Sequence, residues 1–142
     1  MTATNKPPIW FWVVSVLGLL WNLSGVANYL FNAFAQEAIL ETLNQAQREL
    51  FEAIPAWDTA CFALAVFSGS IGGIGLLLRK KWAKPLFIIS LVTSTAQFIH
   101  WLFVQNAPEV FPNPYTMPLL VTVIGIGLIL FSNAAIKKGW IS

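Results

Sequence analysis

Four uninterrupted apolar runs, each about as long as a membrane-crossing helix, limit what this chain can become more than any other feature does. They cover Ile9 to Phe31, Trp57 to Leu78, Leu86 to Val104 and Met117 to Ile136. At a rise of about 1.5 Å per residue, roughly 20 residues cross a hydrocarbon core of about 30 Å as a helix. Backbone amides in lipid must find partners within their own segment, so all four runs are predicted to be helices. Composition agrees: 57% of the 142 residues are hydrophobic and 10% charged, against about a quarter charged in soluble domains. Mean hydropathy is +0.70.

The expected fold class is an all-α membrane protein. One four-helix transmembrane domain over residues 1–142 forms a bundle, and a periplasmic amphipathic helix joins the first two spans. A formal charge of +2 is too small to point to nucleic acid. Cys61 is the single cysteine, so no internal disulfide can form.

Lys and Arg gather on the cytoplasmic side of short loops, which gives the expected orientation. Lys6 precedes the first span, Arg79, Lys80, Lys81 and Lys84 separate the second and third, and Lys137 and Lys138 follow the fourth. Arg48 alone falls on the other side, with all six acids: Glu37, Glu41, Glu49, Glu52, Asp58 and Glu109. Both termini are therefore expected in the cytoplasm. Trp10, Trp12, Trp82 and Trp140 would form an inner aromatic belt, and Trp57, Trp101 and Tyr115 an outer one. Ala33-Phe34-Ala35 has the small-x-small form of a signal cleavage site, but the apolar run before it is too long and carries internal polar groups, so it is expected to remain as a span.

Between the first two spans, Ile39, Leu43, Ala46, Leu50 and Ile54 repeat with helical period, opposite a polar face with Glu41, Arg48 and Glu52. A single surface helix over 36–54 is expected, closing the outer end and stopped by Pro55. Asp58 then falls in the first turn of the second span, where a carboxylate complements the helix dipole. The last outer loop, NAPEVFPNPYTMP, holds four prolines in 13 residues and is expected to be irregular.

Inside the spans, polar groups share faces. Ser15, Gly18, Trp21, Asn22, Gly25, Asn28, Tyr29 and Asn32 recur at three- and four-residue steps in the first, as do Ser90, Thr93, Ser94, Gln97, His100 and Trp101 in the third. The two stripes are expected to face each other, either as interhelical hydrogen bonds or as the lining of a solute path. The candidate lining residues are Trp21, Asn22, Asn28, Gln97, His100 and Trp101. In FSGSIGGIG of the second span, Gly69, Gly72 and Gly73 make a smooth face for close helix approach. That face is also the expected contact of a homodimer.

No cofactor or metal is expected. A lone His100 cannot supply paired axial ligands, a lone Cys61 cannot exchange disulfides, and clustered ligands are absent from the spans. Ser94, His100 and Asp58 can be written as a catalytic constellation, yet no nucleophile-turn motif accompanies them, so the expectation is a non-enzyme.

PPIWFWVVSVLGLLWNLSGVANYL, PAWDTACFALAVFSGSIGGIGLLLRKKWAKPLFIISL and the closing IKKGWIS resemble a family of short four-span bacterial membrane proteins that often carry the label sugar transporter. The likeness is most distinct at Trp21-Asn22, Pro55-Ala56-Trp57 and Leu76 to Ala83. It implies this architecture and a bacterial inner membrane, and carries over no binding residue. The functional expectation is a transporter or facilitator of a small neutral solute such as a sugar. A non-transporting accessory subunit or scaffold is the alternative.

Overall fold

A computed structural model describes residues 6–142. Six α-helices follow one another: α1 (Ile9–Phe34), α2 (Gln36–Glu41), α3 (Gln45–Glu52), α4 (Ala56–Leu77), α5 (Ala83–Ile99) and α6 (Thr116–Lys137). α1, α4, α6 and the segment Ala83–Val104 are long and apolar enough to cross a membrane. The chain is thus an all-α protein with four membrane-spanning helices, as its apolar runs require. Prolines sit where helices tolerate them. Pro8 and Pro55 occupy the N-caps of α1 and α4, while Pro85 and Pro118 fall in the first turns of α5 and α6, whose amides lack intrahelical partners in any case.

α4 is the central element, packed on one side against α1 and on the other against α5, which in turn packs against α6. Glycines set both α4 interfaces. On the α1 side, a Cβ at Gly73 would stand 3.0 Å from the Leu19 Cα, and one at Gly25 would stand 2.8 Å from Val66 Cγ1. On the α5 side, Gly72 lies beneath the Phe87 ring, and Gly75 beneath Trp82 and Ala83. Gly69, Gly72 and Gly73 are therefore helix-packing residues, as the small-residue pattern predicts. Within the chain they are covered by side chains of α1 and α5. The polar stripes of α1 and α5 come together over α4, where Asn22 and Ser90 both lie against Gly69.

Seven basic residues lie at one end of the bundle, from Lys6 to Lys138, and this basic end is closed by large side chains. Phe11, Leu76, Phe87, Trp140 and Ile141 are buried in one cluster. Phe11 stacks on Phe131 at 5.5 Å, and Trp10 meets Trp140 edge-on at 5.1 Å. Two helix ends aim chain into this cluster. Gly139, at φ 74°, ends α6 with a Trp140 amide bond to the Ala135 carbonyl at 2.9 Å, turning Trp140 and Ile141 inward. Arg79, at φ 58°, ends α4 with the equivalent bond from Lys80 to Gly75 at 2.8 Å. Ser142 then exchanges backbone hydrogen bonds with the connection, donating to Arg79 at 3.2 Å and accepting from Lys81 at 3.1 Å. Trp140 is accordingly 8% exposed, a core residue rather than the belt residue expected.

At the opposite, acidic end the expected single surface helix is two. Asn44 opens α3 with a capping box: its Oδ1 accepts from the Gln47 amide at 2.9 Å, and its own amide donates to Gln47 Oε1 at 3.2 Å. A residue used as an N-cap is not helical, so the chain breaks after Glu41. Gln47 Nε2 also donates to the Val110 carbonyl at 3.0 Å, tying α3 to the proline-rich loop before α6.

Candidate functional site

The acidic end encloses a cavity of about 580 Å³ among the halves of α1, α4, α5 and α6 farthest from the aromatic cluster. Tyr29 and Asn32 enter from α1, Asp58, Thr59 and Phe62 from α4, Gln97 and Phe98 from α5, and Met117 and Pro118 from α6. Trp101 and Phe111, tilted against each other at 5.7 Å, complete the wall. Gln36 and Leu40 of α2, with Phe51 and Glu52 of α3, lie over it. The surface helices thus roof a space that the spanning helices leave open.

Asp58 and His100 form the most concentrated polar feature beside this cavity. Asp58 sits in the first turn of α4 and His100 at the end of α5, 42 residues later, but antiparallel packing brings them level. Asp58 Oδ2 lies 2.8 Å from His100 Nδ1, and the two side chains are 4% and 12% exposed. With the carboxylate ionised it can only accept, so Nδ1 carries the hydrogen and Nε2 is the free position. The edge of Trp57 closes on the imidazole, with ring centroids 4.5 Å apart. Backbone geometry supports the placement: α5 passes at His100 into a π-helical turn, His100–Val104, a local widening that re-aims side chains and recurs at functional sites.

The expected lining residues divide. Gln97 and Trp101 line the cavity. His100 stands behind Asp58, one residue from the wall. Trp21 and Asn22 are half-buried nearer mid-membrane and take no part in the lining. Asn22 instead nests over Gly69, where a Cβ would come 2.0 Å from its Oδ1 and 3.2 Å from Ser90 Oγ. Asn28 is exposed, which corrects its expected place in the interior. The polar glue is also mostly local: Asn22 Nδ2 donates to the Gly18 carbonyl at 2.9 Å and Asn32 Nδ2 to that of Asn28 at 2.9 Å. Each amide satisfies its own helix four residues back. Ser90 Oγ, by contrast, makes an interhelical bond, to the Ala65 carbonyl at 2.7 Å.

Ser94 donates to the Leu91 carbonyl of its own helix at 3.0 Å, so it is committed elsewhere than to an Asp58–His100–serine relay. Sequence reasoning set Asp58 beside His100 only within a serine constellation and otherwise took Asp58 for a helix cap; their direct pairing without the serine is what it missed. The signal was available, since the charge bias placed both at the same membrane border.

Fold and site together define a small multi-pass membrane protein with a roofed cavity at its acidic end. Comparison with protein-family models, with curated proteins and with solved structures finds no match to this chain.

Proposed function

We propose that the protein is a transporter or facilitator of a small solute in a bacterial inner membrane, with both termini cytoplasmic and the cavity facing outward. The observation that carries this reading is the asymmetry of the bundle. A cavity of about 580 Å³ lies at one end, within the range of ligand sites at about 300–1,000 Å³, and a tightly packed aromatic cluster closes the other. A site reachable from one side and sealed toward the other is the arrangement that alternating access requires. The lining mixes apolar walls with a few convergent polar groups, Asn32, Asp58 and Gln97, as small-molecule sites do. The orientation follows from seven bases at the sealed end and six acids at the open one.

The amides with Trp101 suit a hydroxylated solute. The scaffold alternative rests on the glycine face and the surface helix as docking sites, and within the chain α1 and α5 cover that glycine face.

Reconstituted in liposomes, the full chain should take up a small solute faster than empty vesicles, and Gln97→Leu should slow this while Asn22→Leu should not. Equal flux with and without protein, over neutral and charged probes alike, overturns the reading. For orientation, Glu109→Cys and Lys137→Cys, each with Cys61→Ser, should label with an impermeant maleimide from outside and inside respectively.

A further inference from the structure

A neutral solute accounts for the amides of the cavity but leaves its charges unexplained. Two carboxylates line it, Asp58 at depth and Glu52 at the roof, and no lysine or arginine does. Six aromatic side chains stand around the same space: Tyr29, Phe51, Phe62, Phe98, Trp101 and Phe111. Ring faces attract cations, and they do so more strongly where water is excluded. An aromatic enclosure with acids and no opposing base selects against anions and favours a cation with an apolar body.

The partner of the deep carboxylate makes this selection conditional. Asp58 is buried and bonded to His100. With a neutral imidazole the pair carries one negative charge, and with an imidazolium it carries none. Ionisable groups around the same cavity are Glu52 from α3 and Tyr29 from α1, with half-buried Cys61 one turn along α4 and Arg48 at the roof, its Nε donating to the Leu40 carbonyl at 2.7 Å. α2 brings Gln36 and Leu40, and α6 brings Met117 and Pro118, none of which titrates. Of the titratable groups here His100 is the one hydrogen-bonded to Asp58, so a second proton on its ring decides whether the pair carries charge.

Resting on the solute-site reading above, we infer that the cavity is a binding site for an organic cation whose occupancy exchanges with a proton on the Asp58–His100 pair. The balance is one for one. As the cation settles beside Asp58, the proton on His100 Nε2 leaves to water while Nδ1–H stays on the carboxylate, and the net charge of the filled site is unchanged. Reprotonation of Nε2 neutralises the pair and releases the cation. Glu52, exposed at the roof, draws cations inward without holding them.

The test is equilibrium dialysis of tetraphenylphosphonium against the full chain in detergent, with empty micelles as the blank. Binding should be saturable near pH 8 and weaker by about tenfold or more near pH 5.5, the size of an ordinary coupling between two ligands. Asp58→Asn should abolish it. His100→Gln, which still offers Asp58 a donor, should keep binding and flatten the pH profile. Wild-type protein should also release about one proton per cation bound in weakly buffered solution near neutrality, a readout that needs no variant. Glu52→Gln should weaken binding a few-fold with the pH profile intact. Cation binding that survives Asp58→Asn, a profile unchanged in His100→Gln, or binding without proton release overturns the inference. If glucose binds saturably and tetraphenylphosphonium does not, the cation inference fails while the solute site stands. If neither binds, both fail.

Discussion

The two ends of this bundle close four helices in opposite ways, although each is rich in aromatic residues. At the basic end Phe11 and Phe87 are 0% and 2% exposed, interlocked with Trp140 and Ile141. At the acidic end Tyr29, Phe62, Trp101 and Phe111 surround a space instead of filling it. The difference traces to α4. Its glycines, Gly69, Gly72, Gly73 and Gly75, all lie in the half toward the basic end, whereas Ala56 to Val66 contains none. Between helices in lipid there is little hydrophobic driving force, so association depends on how closely backbones approach. Glycines let α1 and α5 come onto α4 at the basic end, and the half of α4 beside the cavity carries none.

The most damaging change should be Phe11→Ala. It empties a site with 0% exposure among Phe131 and Trp140, and such truncations cost about 3–5 kcal/mol. Phe111→Ala, at the wall of a space already open, should cost only about 1–2 kcal/mol. Equilibrium unfolding in mixed micelles compares the two directly. Equal costs would mean that the acidic end is as tightly packed as the basic one.

Next comes the buried pair, where the chemistry of the replacement matters more than its size. His100→Leu strands the Asp58 carboxylate without a donor, and breaking a buried pair from one side costs about 3 kcal/mol or more. Asp58→Asn keeps an oxygen that accepts from Nδ1, so about 1 kcal/mol is expected. A reversed order would show that the pair is not what holds α4 to α5 at this end.

How much of this was legible beforehand depends on the range over which each feature is determined. The spans are set by local apolar length, and the helices match them closely, with α1 running on to Phe34 and α5 starting at Ala83. The break in the surface helix was also local, since Asn44 and Gln47 spell a capping box, but the apolar period running through them masked it. The pair of Asp58 and His100 depends on the register of two antiparallel helices, and sequence gives the level of each residue without saying which helices are neighbours. For the same reason Asn22 was set level with Gln97, when it lies over Gly69 of α4 with Ser90 of α5 beside it. The inward turn of Trp140 and Ile141 was hidden because a tryptophan beside two lysines reads equally as a headgroup anchor.

A smaller effect is expected at the roof. Gln47→Ala removes both the capping-box return bond and the bond to Val110 at 3.0 Å, together worth about 1 kcal/mol. Since α3 hangs on the trunk by few bonds, the loss should appear as faster amide exchange confined to residues 44–54. Faster exchange in α4 and α5 as well would mean that the roof is part of the trunk's cooperative unit.

The smallest effect is expected at Asn28, and it bears on why a membrane helix carries amides at all. Asn22 and Asn28 look alike in sequence, six residues apart on one stripe. Asn22 is wedged over Gly69 beside Ser90, so a leucine there must displace Ser90 or part the helices, and overpacking of this kind costs about 1–3 kcal/mol. Asn28 is exposed and receives Asn32 through its backbone carbonyl at 2.9 Å and its Oδ1 at 3.2 Å. Asn28→Leu keeps the stronger of those bonds, because the carbonyl belongs to the backbone, and puts an apolar side chain toward the surroundings. Its effect should stay within about 0.5 kcal/mol. A large loss at Asn28 with none at Asn22 would reverse the assignment of which face of α1 is covered, and with it the side from which the cavity is enclosed.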